Sequence, residues 1–169
     1  MPIEVELYTT EHVIRGLLET AGDRLSDILN NKTESAVIVS QAQVSRLLNV
    51  GKTPPLKLPL VRVEKAGLLF GVPVEPDLTH KSLYRRAARM GFNLVVLVPN
   101  FEVRGTIHLT EKLDIRRVLV VRPDDFVPLT DATATYVLYP QMTVRASTLV
   151  FNKARVIAVA EEASTVPPA

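Results

Sequence analysis

The 169-residue sequence predicts a mainly β protein, made of two similar small five-stranded barrels or bent sheets joined by one α-helix. Three observations predict it. Apolar and polar residues alternate with a period of two over several short runs, the pattern of a strand with one wet face. Those runs recur in the same order about 89 residues further on. Between the two sets lies one stretch whose apolar residues fall at helical spacing.

The first strand is "IEVEL", where Ile3, Val5 and Leu7 alternate with Glu4 and Glu6. "TTEH" follows as a turn, and Ile14, Gly16 and Leu18 form the second alternating set, with Gly16 relieving crowding at a bend or bulge. The second copy starts in "NLVVLVPNFEVRGTIHL": Leu94, Val96 and Val98 match Val5, Leu7 and Thr9, and Val103, Gly105 and Ile107 match Ile14, Gly16 and Leu18. Pro99-Asn100 supplies its turn, because Pro fixes φ and Asn tolerates the left-handed region. Downstream, "AVIVSQAQV" pairs with "FVPLTDATA", and Lys65-Ala66 falls opposite Lys153-Ala154. The repeated order is read as an internal duplication.

Each unit thus reads as hairpin, connector, strand, loop and closing hairpin. In the first connector, Asp23 is the expected N-cap of a short helix carrying Leu25, Ile28 and Leu29. Its counterpart "EKLDIRRVLVV" reads as ambiguous, with strand as one option. Residues 49–59, with a glycine and three prolines, are expected as an exposed loop. The domain boundaries follow: a first unit at 1–75, a connecting helix at 76–91 with Leu83, Ala87 and Met90 as its apolar stripe and Gly91 as its stop, a second unit at 92–162, and a disordered tail at 163–169.

Composition narrows the function. Apolar residues make up 47% and charged residues 22%, with a net charge of only +2, so the chain is globular and lacks the basic excess of a general phosphate binder. The absence of cysteine removes disulfides, thiolate metal sites and cysteine nucleophiles. Without Trp, and with four Tyr and five Phe, the sequence argues against an aromatic platform for bases. "MPIEVELYTT" lacks the features of a signal peptide, and no run approaches the roughly 20 apolar residues of a membrane helix, so the expectation is a cytoplasmic protein without membrane contact.

Little catalytic chemistry is written locally. His12, His80 and His108 have no partner at metal-ligand spacing, and Asp23, Asp27, Asp114, Asp124 and Asp125 form no calcium loop. "VGKT" at residues 50–53 is followed by Pro54-Pro55, which prevents the helix a phosphate loop needs. No metal, cofactor or catalytic residue is therefore expected. Basic side chains recur at Lys81, Arg85 and Arg89, with Arg86 beside them, as a stripe able to grip phosphates or as the wet face of the helix. Arg15-Gly16 and Arg104-Gly105 repeat as pairs and are expected as structural anchors of the strand bends, the arginines through buried ion pairs; the alternative is a surface arginine inherited by both copies.

The strand order, with its glycine-containing bent second strand, resembles the small-barrel architecture of Sm-like proteins, a family known for RNA binding and ring assembly. The chain is also similar to uncharacterised bacterial domains that share a V-x-x-Y-T … I-x-G … L-x-D-x-L-N opening, matched here over residues 5–30. The Sm-like resemblance implies a contact from the turn of the last hairpin. Glu64-Lys65-Ala66 and Asn152-Lys153-Ala154 stand there, and Lys65 and Lys153 are the residues carried over as binding candidates. The resulting expectation is a non-catalytic binding or assembly module that self-associates or takes a protein partner, since edge strands of small barrels pair between chains. The alternative is an RNA, single-stranded DNA or nucleotide binder using Lys65, Lys153, Lys81, Arg85, Arg86 and Arg89.

Overall fold

The computed structural model describes residues 1–75 and 89–163. Two tight hairpins begin the two halves. In the first, β1 (Pro2–Tyr8) turns into β2 (His12–Glu19), and the turn is closed by the Thr9 amide donating to the His12 carbonyl and the His12 amide donating to Thr9 Oγ1. A second hairpin follows from β6 (Met90–Val98) and β7 (Phe101–Leu109), with Asn100 at a φ of 66°, the left-handed conformation its residue type tolerates. Registers agree: Val5 lies opposite Gly16 and Leu94 opposite Gly105.

Each second strand then pairs with a long, bulged third strand. β3 (Ala36–Arg46) slips register against β2 between Arg15 and Leu17, and β8 (Phe126–Tyr136) slips against β7 between Arg104 and Thr106. Gln41 and Asp131, the extra residues, share a φ of 49°. The third strand lies close against the glycine opposite each bulge. A Cβ on Gly16 would stand 2.5 Å from Val39 Cγ1 and 2.7 Å from the Ser40 carbonyl oxygen; one on Gly105 would stand 2.9 Å from Leu129 Cβ. Both repeated glycines are therefore steric necessities.

Between β2 and β3 the chain makes one short helix, α1 (Leu25–Asn30), burying Leu25 and Leu29. Arg24, not Asp23, takes the N-cap position, and Asp27 reaches back to the Arg24 amide. The matching connector of the second half is neither helix nor strand. It is an irregular stretch with turns at residues 115–120, held down by buried Leu113 and Val118.

The halves finish alike. β4 (Leu56–Glu64), a 3-10 turn (Lys65–Gly67) and β5 (Phe70–Pro73) close the first; β9 (Thr143–Asn152), a 3-10 turn (Lys153–Arg155) and β10 (Ala158–Glu161) close the second. β4 begins at Leu56, so the loop expected over 49–59 is shorter than the proline content suggested. Pro59 is accommodated because β4 is an edge strand.

The ten strands of the described residues form one antiparallel sheet in the order β10-β6-β7-β8-β9-β5-β1-β2-β3-β4. The fold is mainly β, as expected, and this sheet is not closed into a barrel. The last strand of the first half does not complete a closed unit: it pairs with β1 on one side and β9 on the other, Phe70 opposite Phe151 and Gly71 opposite Val150. Met90 and Gly91 begin β6 and do not end a helix; the remainder of the expected connecting helix, residues 76–88, lies outside the described residues, as does the tail from 164.

The core follows from that junction. Its larger cluster takes Tyr8, Leu69, Phe70 and Val72 from the first half together with Val96, Phe101, Leu129, Tyr136 and Phe151 from the second. Tyr8 stacks on Phe70 with ring centroids 4.5 Å apart, and Phe101 meets Phe70 edge-on at 5.0 Å. Such pairs add about 0.5–1.5 kcal/mol to the free energy of burial itself.

The glycine contacts have a direct consequence. Gly16→Ala and Gly105→Ala each destabilise the fold by about 1–3 kcal/mol, the usual cost of overpacking. Gly67→Ala, where an added Cβ meets nothing within 4 Å, changes stability little. Urea denaturation midpoints of the three variants check this; equal midpoints contradict the bulge packing described above.

Candidate functional site

Lys65 and Lys153 occupy equivalent turns and do equivalent work. Lys65 Nζ donates to the carbonyls of Ile28 (3.1 Å) and Asn31 (2.8 Å) at the end of α1, and its amide donates to Ser35. Lys153 Nζ donates to the Arg122 carbonyl (2.7 Å) in the second connector, and its amide donates to Asp125. Each ammonium fastens a connector to a closing turn. Burial lowers the Lys65 pKa, opposed by the charges of Glu34 and Asp125.

The repeated arginines are placed on the open face of the sheet. Arg15 bonds Glu4 (2.9 Å) and Glu6 (3.4 Å) on β1, and Arg104 lies 3.6 Å from Glu162. The expected ion pairs exist, but about half of each arginine side chain is exposed, so they are surface pairs of small energetic weight and not buried anchors. Of the basic stripe, Lys81, Arg85 and Arg86 lie outside the described residues, together with His80; Arg89 is exposed just ahead of β6.

Arg89 lines a cleft of about 400 Å³ where α1 approaches β7, β8 and β9. Asn30 ties the two halves together beneath it: its side chain donates to the Phe126 carbonyl (2.9 Å) and accepts from the Phe126 amide (2.8 Å). His108 Nε2 lies 2.8 Å from Thr130 Oγ1. The Arg122 Nε is buried without a hydrogen-bond partner among the described residues, and burial lowers the pKa of its guanidinium, opposed by Asp124. Arg24 and Asp27, themselves an ion pair, complete a rim of mixed charge. Among the described residues no three of His, Asp and Glu come together as metal ligands.

The other distinctive surface is the pair of sheet edges left open among the described residues. β4 exposes Leu56, Leu58 and Leu60, the first and last at 64% and 66%, and Ile157, leading into β10, is 67% exposed. In the middle of the sheet Leu149, Phe151, Leu69 and Phe70 are fully buried at the β9–β5 junction; by register Val144, Ala146 and Thr148, the β9 counterparts of Leu56, Leu58 and Leu60, are partly buried. That junction is the feature sequence reasoning missed. Its signal was present in "LLF" and "LVF", continuous apolar runs of the kind that mark strands covered on both faces.

No family model, no curated protein and no solved structure matches the chain. Among the described residues no helix is long and apolar enough to cross a membrane.

Two expected outcomes follow from the buried polar groups. Lys65→Met removes two charge-assisted bonds and loosens α1, costing about 1.5–3 kcal/mol in urea denaturation; an unchanged midpoint removes the lysine from this role. Tyr8 donates to Glu6 (3.0 Å), and burial, then the Glu6 charge, raises its phenol pKa well above the ordinary value. Unfolded tyrosine ionises near pH 10, so above about that pH the unfolded chain has lost a proton the folded chain keeps, and stability falls as pH rises. Tyr136, raised chiefly by burial, acts in the same direction, whereas the lowered Lys65 acts oppositely just below the ordinary lysine value. Comparing Tyr8→Phe with the native protein isolates the Tyr8 part: its alkaline slope is the shallower one, and identical slopes contradict the assignment.

Proposed function

We propose that the protein is a non-catalytic assembly module of the cytoplasm that associates with further copies of itself through its open sheet edges. The observation that carries this reading is the contrast between equivalent strands. β9 and β5 pair with each other and are buried where they meet, whereas among the described residues β4 and β10, which hold the same places in the two halves, have a strand partner on one side only, with Leu56, Leu58 and Leu60 of β4 and Ile157 just ahead of β10 exposed. Unpaired strand edges template pairing with another chain.

Each half is read as an Sm-like small-barrel unit derived from one duplicated ancestor. Support comes from the shared order of five strands, the bulge at the same step, and the lysine-bearing 3-10 turn before the last strand. Lys65 and Lys153, on which an RNA-binding reading leans most, hold backbone carbonyls, and this favours assembly over nucleic-acid binding.

Light scattering coupled to size-exclusion chromatography tests the reading. The expected mass is a multiple of the 18.7 kDa chain that falls on dilution. A mass of one chain at every concentration up to the millimolar range overturns it.

A further inference from the structure

We propose that the cleft between α1 and the strands of the second half binds a small carboxylate: a molecule whose single carboxylate head is held by Arg89 and Arg122 and whose compact apolar body rests on the cleft wall. The inference is independent of self-association and adds a ligand site to it.

Arg122 sets the demand for an anion. Its Nε is buried with no hydrogen-bond partner among the described residues. A buried polar or charged group is costly unless something pairs with it. Burial disfavours the charged guanidinium; Asp124 opposes that, and the like charge of Arg89 adds to it. Arg89 and Arg122 thus line one cleft and repel each other. An oxyanion between them converts that repulsion into two attractions. The planar donor fork of a guanidinium matches a carboxylate through two parallel hydrogen bonds.

The balance of charge selects the head group. Arg24, Arg89 and Arg122 share the lining with Asp27 and Asp124, which leaves one positive charge in excess when His108 is neutral. Arg24 and Asp27 already satisfy each other at 3.2 Å. A carboxylate supplies the one negative charge that is missing. A phosphate monoester carries about 1.5–2 negative charges at neutral pH and overshoots.

The walls select the rest of the molecule. The cleft measures about 400 Å³, within the range of small-molecule sites. Pro73, Pro128 and Val150 give it an apolar side. Its described lining contains no Phe or Tyr, so a nucleobase has no ring to stack on. Thr130 and Thr148, directly opposite each other on β8 and β9, add hydroxyls to the polar side. The frame is fixed before any ligand arrives, because the Asn30 side chain both donates to and accepts from the Phe126 backbone and so holds α1 against β8. Preorganisation of this kind lowers the cost of binding. The internal repeat does not generate this cleft twice, since α1 has no helical counterpart in the second half.

Nuclear magnetic resonance of the arginine Nε–H groups in the isotope-labelled full chain tests the site, with sodium benzoate as the probe. Benzoate is expected to move the Arg89 and Arg122 signals along one saturating curve in the millimolar range, and sodium chloride at equal ionic strength is not. Acetate, which has the same head and no ring, is expected to bind several-fold more weakly. Arg89→Gln and Arg122→Gln each weaken benzoate binding several-fold. Arg145→Gln, exposed on β9 and outside the lining, leaves it unchanged. Arg89 is itself exposed, so its replacement reads the site even where Arg122→Gln perturbs the fold. Shifts with benzoate no larger than those with chloride, or an unchanged benzoate curve in both cleft variants, overturn the site. Saturation by inorganic phosphate with none by benzoate overturns the carboxylate assignment, and equal affinities for acetate and benzoate overturn the apolar wall.

Discussion

Phe70 and Phe151 face each other across β5 and β9, and that short pairing turns two five-stranded halves into one ten-stranded sheet. Around it gather Tyr8 and Phe101, one ring from each half, with Phe70 touching both. Burying a large apolar side chain contributes about 1.5–3 kcal/mol, so a cluster of several such rings is large against the usual margin of domain stability. Each of the two apolar clusters draws residues from both halves: Phe126 and Val150 join the one built mainly from the first half, and Tyr8, Leu69 and Phe70 join the one built mainly from the second.

The junction also explains the asymmetry of the molecule. Of the two equivalent pairs, β4 with β9 and β5 with β10, one member of each holds the halves together and the other lies at a rim of the described sheet. Side chains follow that division. The inner strands carry Leu149, Val150, Phe151 and Phe70; the outer strands mix aliphatics with Arg62, Glu64 and Glu161. Charged side chains on an edge strand discourage unspecific pairing. In the polar cleft Asn30 binds the Phe126 backbone and His108 lies beside Thr130, whereas Arg122 Nε has no hydrogen-bond partner among the described residues.

Much of this was legible in the sequence. Period-two alternation located β1, β2, β6 and β7, and Pro99-Asn100 marked its turn, because both signals are local. Gly16 and Gly105 were legible as bends, and the steric reason emerged only with Val39 and Leu129 placed against them. The β5–β9 pairing was not legible, because the partner of an apolar run is decided by which edges remain free after the hairpins form. Nor was the work of Lys65 and Lys153: their partners are carbonyl oxygens, which every residue has. Residues 56–59 read as loop because prolines outweigh leucines in a local window, yet a strand at the rim tolerates Pro59 where an inner strand would not. Asp23 was the natural cap by residue type, but Asp27, three positions inside the helix, satisfies the Arg24 amide instead.

Amide hydrogen exchange at the junction tests most directly whether the halves form one cooperative sheet. The Asn152 amide, bonded across the junction to Leu69, is expected to exchange as slowly as the slowest amides of β7 and β8, opening only with global unfolding. Exchange of that amide at the rate of the exposed β10 rim, while β7 and β8 stay protected, would mean that the halves fold and open independently and that the shared core does not bind them.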